Sequence, residues 1–172
     1  MKTLLLYALT ATVAAAELTD PQKKVVAIAE TNQVELRLDL PYAENDNPKQ
    51  CVDLYLPRKR NSEKPLPVIA LIHGGGWVNG DRIGYSAQAI QLTRTGDFAC
   101  VAVGYRLTKE ASWPAQVHDC KAAVRWIRAH AKEYGIDPTR LGVTGGSAGG
   151  HLSLMLATRG APGPAESTDP VD

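Results

Sequence analysis

The sequence lacks a strong excess of charge of either sign. Lysine and arginine total 19 and aspartate and glutamate total 18, which gives a formal net charge of +1 over 172 residues. Such a chain produces no strong field to attract nucleic acid, an anionic membrane or an acidic ligand. We therefore expect a neutral or weakly charged small molecule as the ligand and no nucleic-acid partner.

Cysteine and metal-ligand patterns are also scarce. An odd count of three cysteines, Cys51, Cys100 and Cys120, cannot close fully into disulfides within the chain. We expect Cys100 and Cys120 to pack as small core hydrophobes rather than to react. The four histidines are scattered without C-x-x-C or H-x-x-x-H spacing, and the run 74–76 lacks the lysine of a P-loop. No metal and no cofactor are expected.

Long hydrophobic runs are absent apart from residues 4–13, which are too few for the roughly 20 residues that span a bilayer. Lys2 precedes this run and three alanines at 14–16 follow it, the pattern of a secretory signal with its cleavage site. The sequence thus predicts a signal peptide at 1–16, a mature chain beginning at Glu17, no membrane span and a secreted or periplasmic protein.

Hydrophobic patterning indicates an α/β fold. Residues 34–40 and 52–56 alternate between apolar and polar, which is typical of two half-buried strands in an antiparallel hairpin. Residues 68–72 and 98–103 are continuously apolar, as parallel strands covered on both faces are. A turn at 137–140 and a short strand at 141–144 follow.

Three helices are predicted between and after these strands, at residues 86–95, 115–134 and 148–158. Pro114 at the first position and Gly135 just past the end favour the long middle helix. One face of this helix carries a stripe of basic residues, which is interpreted as a solvated face: Lys121, Arg125, Arg128 and Lys132. The order of strands and helices describes an α/β sheet with right-handed crossovers.

Two glycine-rich motifs lie where strands end. Gly145 and Gly149 flank Ser147 in a G-x-S-x-G pattern between a strand and a helix, a tight turn that would expose the serine oxygen. The sequence His73-Gly74-Gly75-Gly76-Trp77 directly follows the strand 68–72. N–H groups of its glycines, together with that of Ala148 at the helix start, could bind the oxygen of a tetrahedral intermediate.

With these motifs in this order, the chain resembles the α/β-hydrolase superfamily, specifically the hormone-sensitive-lipase-like and feruloyl-esterase-like carboxylesterases. The segments that carry the resemblance are 73–77, 79–81, 103–107, 113–115, 119–126 and 143–150. The resemblance implies a mostly parallel sheet with an N-terminal antiparallel hairpin. Residues 17–172 would then form a partial domain that holds the first five of eight strands.

The resemblance also implies roles for individual residues. Ser147 would be the nucleophile, and the oxyanion donors would be the N–H groups of Gly75, Gly76 and Ala148. The supporting residues would be His73, which braces the loop rather than transferring protons, with Gly74, Gly145 and Gly149. Tyr105, Arg106 and Asp119 would shape loops and pair charges beneath the site.

The chain departs from the family pattern after the serine. Triad order in this fold is serine, acid, histidine. The only later histidine, His151, lies on the same predicted helix as Ser147 and cannot take its proton, while Asp169 and Asp172 follow no strand. We expect the catalytic acid and histidine to be missing from this chain.

The expected function is therefore that of a serine hydrolase acting on carboxylic esters, either a carboxylesterase or a carbohydrate-ester esterase, through an acyl-enzyme at Ser147. The chain by itself is expected to be inactive. A peptidase or amidase of the same fold remains an alternative, as does a catalytically incomplete remnant that serves as a binding module. The sequence leaves the oligomeric state open.

Overall fold

The computed structural model of the protein describes residues 18–158. The predicted signal peptide at 1–16 and the segment that carries Asp169 and Asp172 lie outside the described residues. None of the helices in the described part is long and apolar enough to cross a membrane.

Five strands form one mixed sheet in the order β1-β2-β4-β3-β5. β1 pairs with β2 and β2 with β4 in antiparallel fashion, whereas β3 lies parallel to both β4 and β5. The strands are β1 (Val34–Pro41), β2 (Cys51–Pro57), β3 (Leu66–Ile72), β4 (Ala99–Val103) and β5 (Ile136–Gly145). This arrangement confirms the predicted α/β-hydrolase fold class with its N-terminal hairpin.

Helices cover both faces of this sheet. They are α1 (Asp20–Thr31), α2 (Ser86–Thr93), α3 (Ala115–Ala129), α4 (Ala131–Tyr134) and α5 (Ala148–Thr158), with a 3₁₀ helix at Arg82–Tyr85. Val25 of α1 and Ile90 of α2 are buried against one face of the sheet. Ile127 of α3 and Leu152 of α5 are buried against the other face, with Val68 of β3. The apolar runs of β3 and β4 follow from this double cover.

Two of the predicted strands differ from expectation. β2 was expected to be half-buried, but all its residues from Cys51 to Pro57 are buried because both faces of the strand are covered: Leu54 lies in the core on one face of the sheet and Tyr55 in the core on the other. The predicted turn at 137–140 lies inside β5, which is longer than expected. Leu66 pairs with Ile136 and Val68 with Leu141, so residues 137–140 form a bulge in the strand.

The helices differ from prediction in two places as well. The single helix expected at 115–134 is divided at His130 into α3 and α4, and Pro114 is the N-cap residue of α3 rather than its first residue. Helix α1 was not predicted. Its N-terminus carries a capping box, in which Thr19 and Gln22 satisfy each other's backbone N–H groups.

The three cysteines are free and buried. Cys100 lies in β4 and Cys120 in α3, each almost inaccessible to solvent, which agrees with the predicted packing role. Burial raises the pKa of the Cys100 thiol to about 11, so the thiol stays protonated and is a poor nucleophile.

Candidate active site

Ser147 stands in a sharp turn between β5 and α5. Its φ is 54°, a left-handed conformation that is uncommon for a residue other than glycine. The turn is closed by hydrogen bonds from the Gly149 N–H to the Gly146 carbonyl (3.0 Å) and from the His151 N–H to the Ser147 carbonyl (3.0 Å). Ser147 is exposed to solvent. The serine is thus held in a conformation that only its surroundings enforce.

The glycines of this turn permit a close approach to the end of β3. A Cβ atom on Gly149 would lie 2.7 Å from the His73 carbonyl oxygen and would overlap the Ile72 carbonyl oxygen. A Cβ atom on Gly145 would lie 2.6 Å from the Gly149 carbonyl carbon. Any side chain at these positions would therefore move α5 and Ser147 away from the sheet.

The glycine loop that follows β3 lies directly against this turn. A Cβ atom on Gly74 would lie 2.6 Å from the Gly146 carbonyl oxygen and 3.4 Å from Cβ of Ser147. The loop then folds back, because the Gly75 carbonyl accepts hydrogen bonds from the N–H groups of Val78 (3.2 Å) and Asn79 (3.0 Å). The loop and the serine turn therefore form one continuous surface.

The backbone of this loop needs glycine at two successive positions. The φ angle is 117° at Gly75 and 60° at Gly76, both in the left-handed range that favours glycine. Among residues 18–158, no acceptor is present for the N–H groups of Gly75, Gly76 or Ala148. Unbonded N–H groups beside an exposed serine are the requirement for binding a developing oxyanion.

His73 is buried at the base of the loop, with only 3% of its surface exposed. Its Nδ1 atom lies 2.8 Å from the Gly74 carbonyl oxygen, and its ring stacks on Tyr105 with centroids 4.2 Å apart. The Tyr105 hydroxyl donates to the His73 carbonyl (2.8 Å). Burial lowers the pKa of His73, so the ring is neutral and its Nδ1–H donates to Gly74. This geometry suits a residue that holds the loop.

A second support for the loop comes from the segment after β4. Asp119 of α3 is 2% exposed and accepts hydrogen bonds from the Arg106 backbone N–H (2.9 Å), from Arg106 Nη2 (2.8 Å) and from Gln50 Nε2 (2.9 Å). Two residues beyond Arg106, the Thr108 N–H donates to the Trp77 carbonyl (2.9 Å). The ion pair therefore fixes a segment that contacts both ends of the glycine run.

None of the described histidines forms a hydrogen bond to the Ser147 hydroxyl, which has no hydrogen-bond partner between residues 18 and 158. His118 is exposed, and His130 stacks on Trp126 at 4.3 Å. His151 contacts the rings of Trp77 (5.4 Å) and Trp113 (5.5 Å). The described part of the chain also contains no group of three His, Cys, Asp or Glu side chains that could hold a metal ion.

Sequence reasoning did not identify a cavity of about 250 Å³ between α3 and α5. Its lining residues are Trp113, Pro114, Val117, His118, Lys121 and Met155. Neither Ser147 nor the glycine loop lines it. One of its lining residues, Trp113, contacts the ring of His151.

The mixed sheet, the strained serine between strand and helix, and the glycine loop against it define an α/β-hydrolase of the carboxylesterase group. The sequence profile of the BD-FAE family matches residues 52–167, more than half of the chain. The chain belongs to this family, and the predicted resemblance is confirmed.

Known proteins with similar sequences are esterases. The chain is 41% identical to the probable carboxylic ester hydrolase LipM of Mycobacterium tuberculosis over 91 residues. These residues make up 53% of this chain and 21% of LipM. It is 34% identical to the esterase LipC of the same organism over 64% of this chain and 27% of LipC. The chain thus spans only about a fifth to a quarter of the length of these relatives.

Solved structures of similar fold are esterases too. A truncated carbohydrate esterase from gut microbiota is 34% identical over 69% of this chain and 41% of its own, with a TM-score of 0.64. A bacterial heroin esterase is 35% identical over 81% of this chain and 45% of its own, with a TM-score of 0.63. These identities are high enough to support both the fold and the family.

Proposed function

We propose that the complete protein carrying this sequence hydrolyses carboxylic esters through an acyl-enzyme at Ser147. The observation that carries the proposal is the contact between the serine turn and a glycine loop whose N–H groups have no acceptor among the described residues. A serine held at positive φ beside such donors is arranged for attack on a carbonyl carbon. Relatives of known activity hydrolyse carboxylic esters, which supports the same reaction class.

The proposed reaction has two halves. The Ser147 oxygen bonds to the acyl carbon and loses its proton to a base, while the N–H groups of Gly75, Gly76 and Ala148 bind the carbonyl oxygen as it gains negative charge. The alcohol leaves with a proton as the carbon–oxygen bond breaks. Water then attacks the acyl-serine and releases the acid. None of the histidines described between residues 18 and 158 forms a hydrogen bond to Ser147, which supports our proposal that the acid and histidine lie elsewhere in the complete protein.

The proposed substrates are small esters or acyl groups carried on carbohydrate. Support comes from the predicted secretion signal and from relatives described as a carbohydrate esterase and as an acetyl ester-xyloside bifunctional hydrolase. A site formed by backbone N–H groups recognises a carbonyl oxygen without regard to the leaving group. Peptide or amide hydrolysis is therefore the alternative within the same chemistry.

The test uses the complete protein with a short aryl ester, the matching aryl amide and a serine-directed phosphonate. We expect ester hydrolysis well above amide hydrolysis, phosphonate attached to Ser147 by mass spectrometry, and loss of both in Ser147→Ala. Ser153→Ala is the matched control, because Ser153 lies on the same helix with its hydroxyl bonded to the Gly149 carbonyl at 2.8 Å. Full ester turnover in Ser147→Ala would refute the proposal.

A further inference from the structure

A buried arginine connects the far end of the glycine loop to the β1–β2 hairpin. Arg82, at the start of the 3₁₀ helix, is only 6% exposed. Its Nε donates to Asp53 Oδ1 (2.8 Å) and its Nη1 donates to the Pro48 carbonyl (2.8 Å). Its Nη2 donates to Asp39 Oδ1. One guanidinium therefore bonds to β1, to β2 and to the turn between them.

The hairpin is distorted at the point where it meets Arg82. The β1–β2 register shifts between Arg37 and Leu40, and within this bulge Asp39 has a φ of 56°. The Asp39 N–H donates to Asp53 Oδ1 (3.0 Å), and Gln22 of α1 donates to Asp39 Oδ2 (2.6 Å). A non-glycine residue at positive φ is maintained only when its surroundings over-determine it. Here the bulge turns the Asp39 carboxylate toward Arg82.

The glycine loop, residues 73–81, ends immediately before Arg82. A Cβ atom on Gly80 would lie 2.9 Å from Cε1 of His73, so the end of the loop packs against the ring at its beginning. Asp81 caps the 3₁₀ helix through the Ile83 N–H (3.1 Å) and pairs with Lys49 (3.2 Å). Arg82 is therefore joined through Asp81 to Gly80, which packs against His73.

Arg82 and its two carboxylate partners, Asp39 and Asp53, influence one another's ionisation. Asp53 is 1% exposed, and its burial raises the pKa of the carboxyl against the opposing effect of Arg82. A buried ion pair gives little net stability, because desolvation of both charges offsets their attraction. Such a pair does fix geometry, since each charge has lost the option of bonding to water.

We infer that Arg82 is a positioning residue for the reaction proposed above. It fixes the far end of the loop 73–81 to the hairpin, and thereby keeps the N–H groups of Gly75 and Gly76 directed at the carbonyl oxygen of the ester whose acyl carbon Ser147 attacks. The inference rests on the proposed ester hydrolysis for its effect on rate. Its effect on the backbone of the loop can be measured without any activity.

The test compares Arg82→Lys, Arg82→Met and Arg140→Lys in the complete protein. Lysine retains the charge but cannot reach three acceptors at once. Arg140 is the matched control, because it also bonds to an aspartate (Asp137, 2.7 Å) and to a proline carbonyl (Pro65, 2.6 Å), at the opposite end of the sheet. Readouts are kcat and KM on a short aryl ester, circular dichroism, and hydrogen exchange of the amides at 73–81.

We expect Arg82→Lys to lower kcat about 10-fold or more with KM changed less than about 2-fold, because oxyanion donors act mainly in the transition state. Amide exchange at 73–81 should rise in folded Arg82→Lys and remain unchanged in Arg140→Lys. If Arg82→Met fails to fold, the inference is tested with the kcat and amide exchange of Arg82→Lys alone. Folded Arg82→Lys with unaltered exchange and unaltered kcat would overturn the inference. A wild type without esterase activity, but with faster exchange in Arg82→Lys, would overturn the proposed function alone.

Discussion

His73 shows how a single buried residue can make stability depend on pH. Burial places its folded-state pKa below the ordinary value of 6.5, so the unfolded chain binds the proton more readily than the folded chain. Stability must therefore fall as the pH drops below about 6.5 toward the folded-state pKa, and it is fully present above that range.

We predict that His73→Asn removes this acid sensitivity. Asparagine carries an amide donor near the position of Nδ1 but does not titrate, so the melting temperature of the wild type relative to the variant should decline as the pH falls below about 6.5. Thermal unfolding followed from pH 8 to 5 measures the difference, and His118, His130 and His151 are common to both proteins. A constant difference across that range would show that His73 keeps an ordinary pKa.

Individual residues of the candidate site differ in how well the sequence predicted them. Ser147 and the glycine run are local motifs, so their place after a strand could be read directly. Arg82 could not be found in this way, because its carboxylate partners Asp53 and Asp39 lie 29 and 43 residues away along the chain. Only the fold of the β1–β2 hairpin brings these charges together.

At the scale of elements, α3 is joined to the segment after β4 through Asp119 and Gln116. We predict that Asp119→Ala lowers the free energy of unfolding by about 2–4 kcal/mol, because the buried amide of Gln50 would lose its acceptor and the half-buried Arg106 would lose its ion-pair partner. Chemical denaturation of the complete protein measures this. Lys23→Ala is the control: its ion pair with Asp20 is largely exposed and should contribute less than about 1 kcal/mol. Equal losses in the two variants would contradict the prediction.

Elements with a strong local sequence pattern were predicted well. Features that depend on packing against distant segments, such as the burial of β2, were not. The buried strands and α5 follow from continuous apolar runs and from flanking glycines. β2 alternates like a half-exposed strand, yet it is fully buried, because distant parts of the chain cover both of its faces. Helix α1 carried a usable signal in the Thr19 and Gln22 capping box.

At the scale of the whole molecule, the two edges of the described sheet are unlike. β1 forms one edge, and charged residues alternate with apolar residues along it. Charges on an edge strand hinder pairing with other chains. On the other edge, β5 pairs only with β3 among the described residues, and its segment 141–145 carries no charge. This segment runs directly into the serine turn. The unpaired edge of β5 and the position of Ser147 therefore depend on the same segment of chain.

We predict that residues 17–172 produced alone associate in a concentration-dependent manner and hydrolyse short aryl esters several orders of magnitude more slowly than triad enzymes do. Association follows from the uncharged edge of β5. Slow hydrolysis follows if Ser147 has no base, as among residues 18–158, where its hydroxyl has no hydrogen-bond partner, since an unassisted hydroxyl is a poor nucleophile at neutral pH. Sedimentation velocity at several concentrations and ester hydrolysis with and without Ser147→Ala measure the two effects.

A variant at the edge separates the two causes. Gly142 is exposed, and a Cβ atom there would meet no other atom within 4 Å, so Gly142→Lys places a charge on the edge of β5 without a clash. This substitution should reduce association while leaving hydrolysis as slow as before, because it supplies no base. A monomeric, cooperatively melting chain 17–172 that turns over ester at ordinary enzyme rates, and loses that activity in Ser147→Ala, would show that the described residues already hold everything the reaction requires.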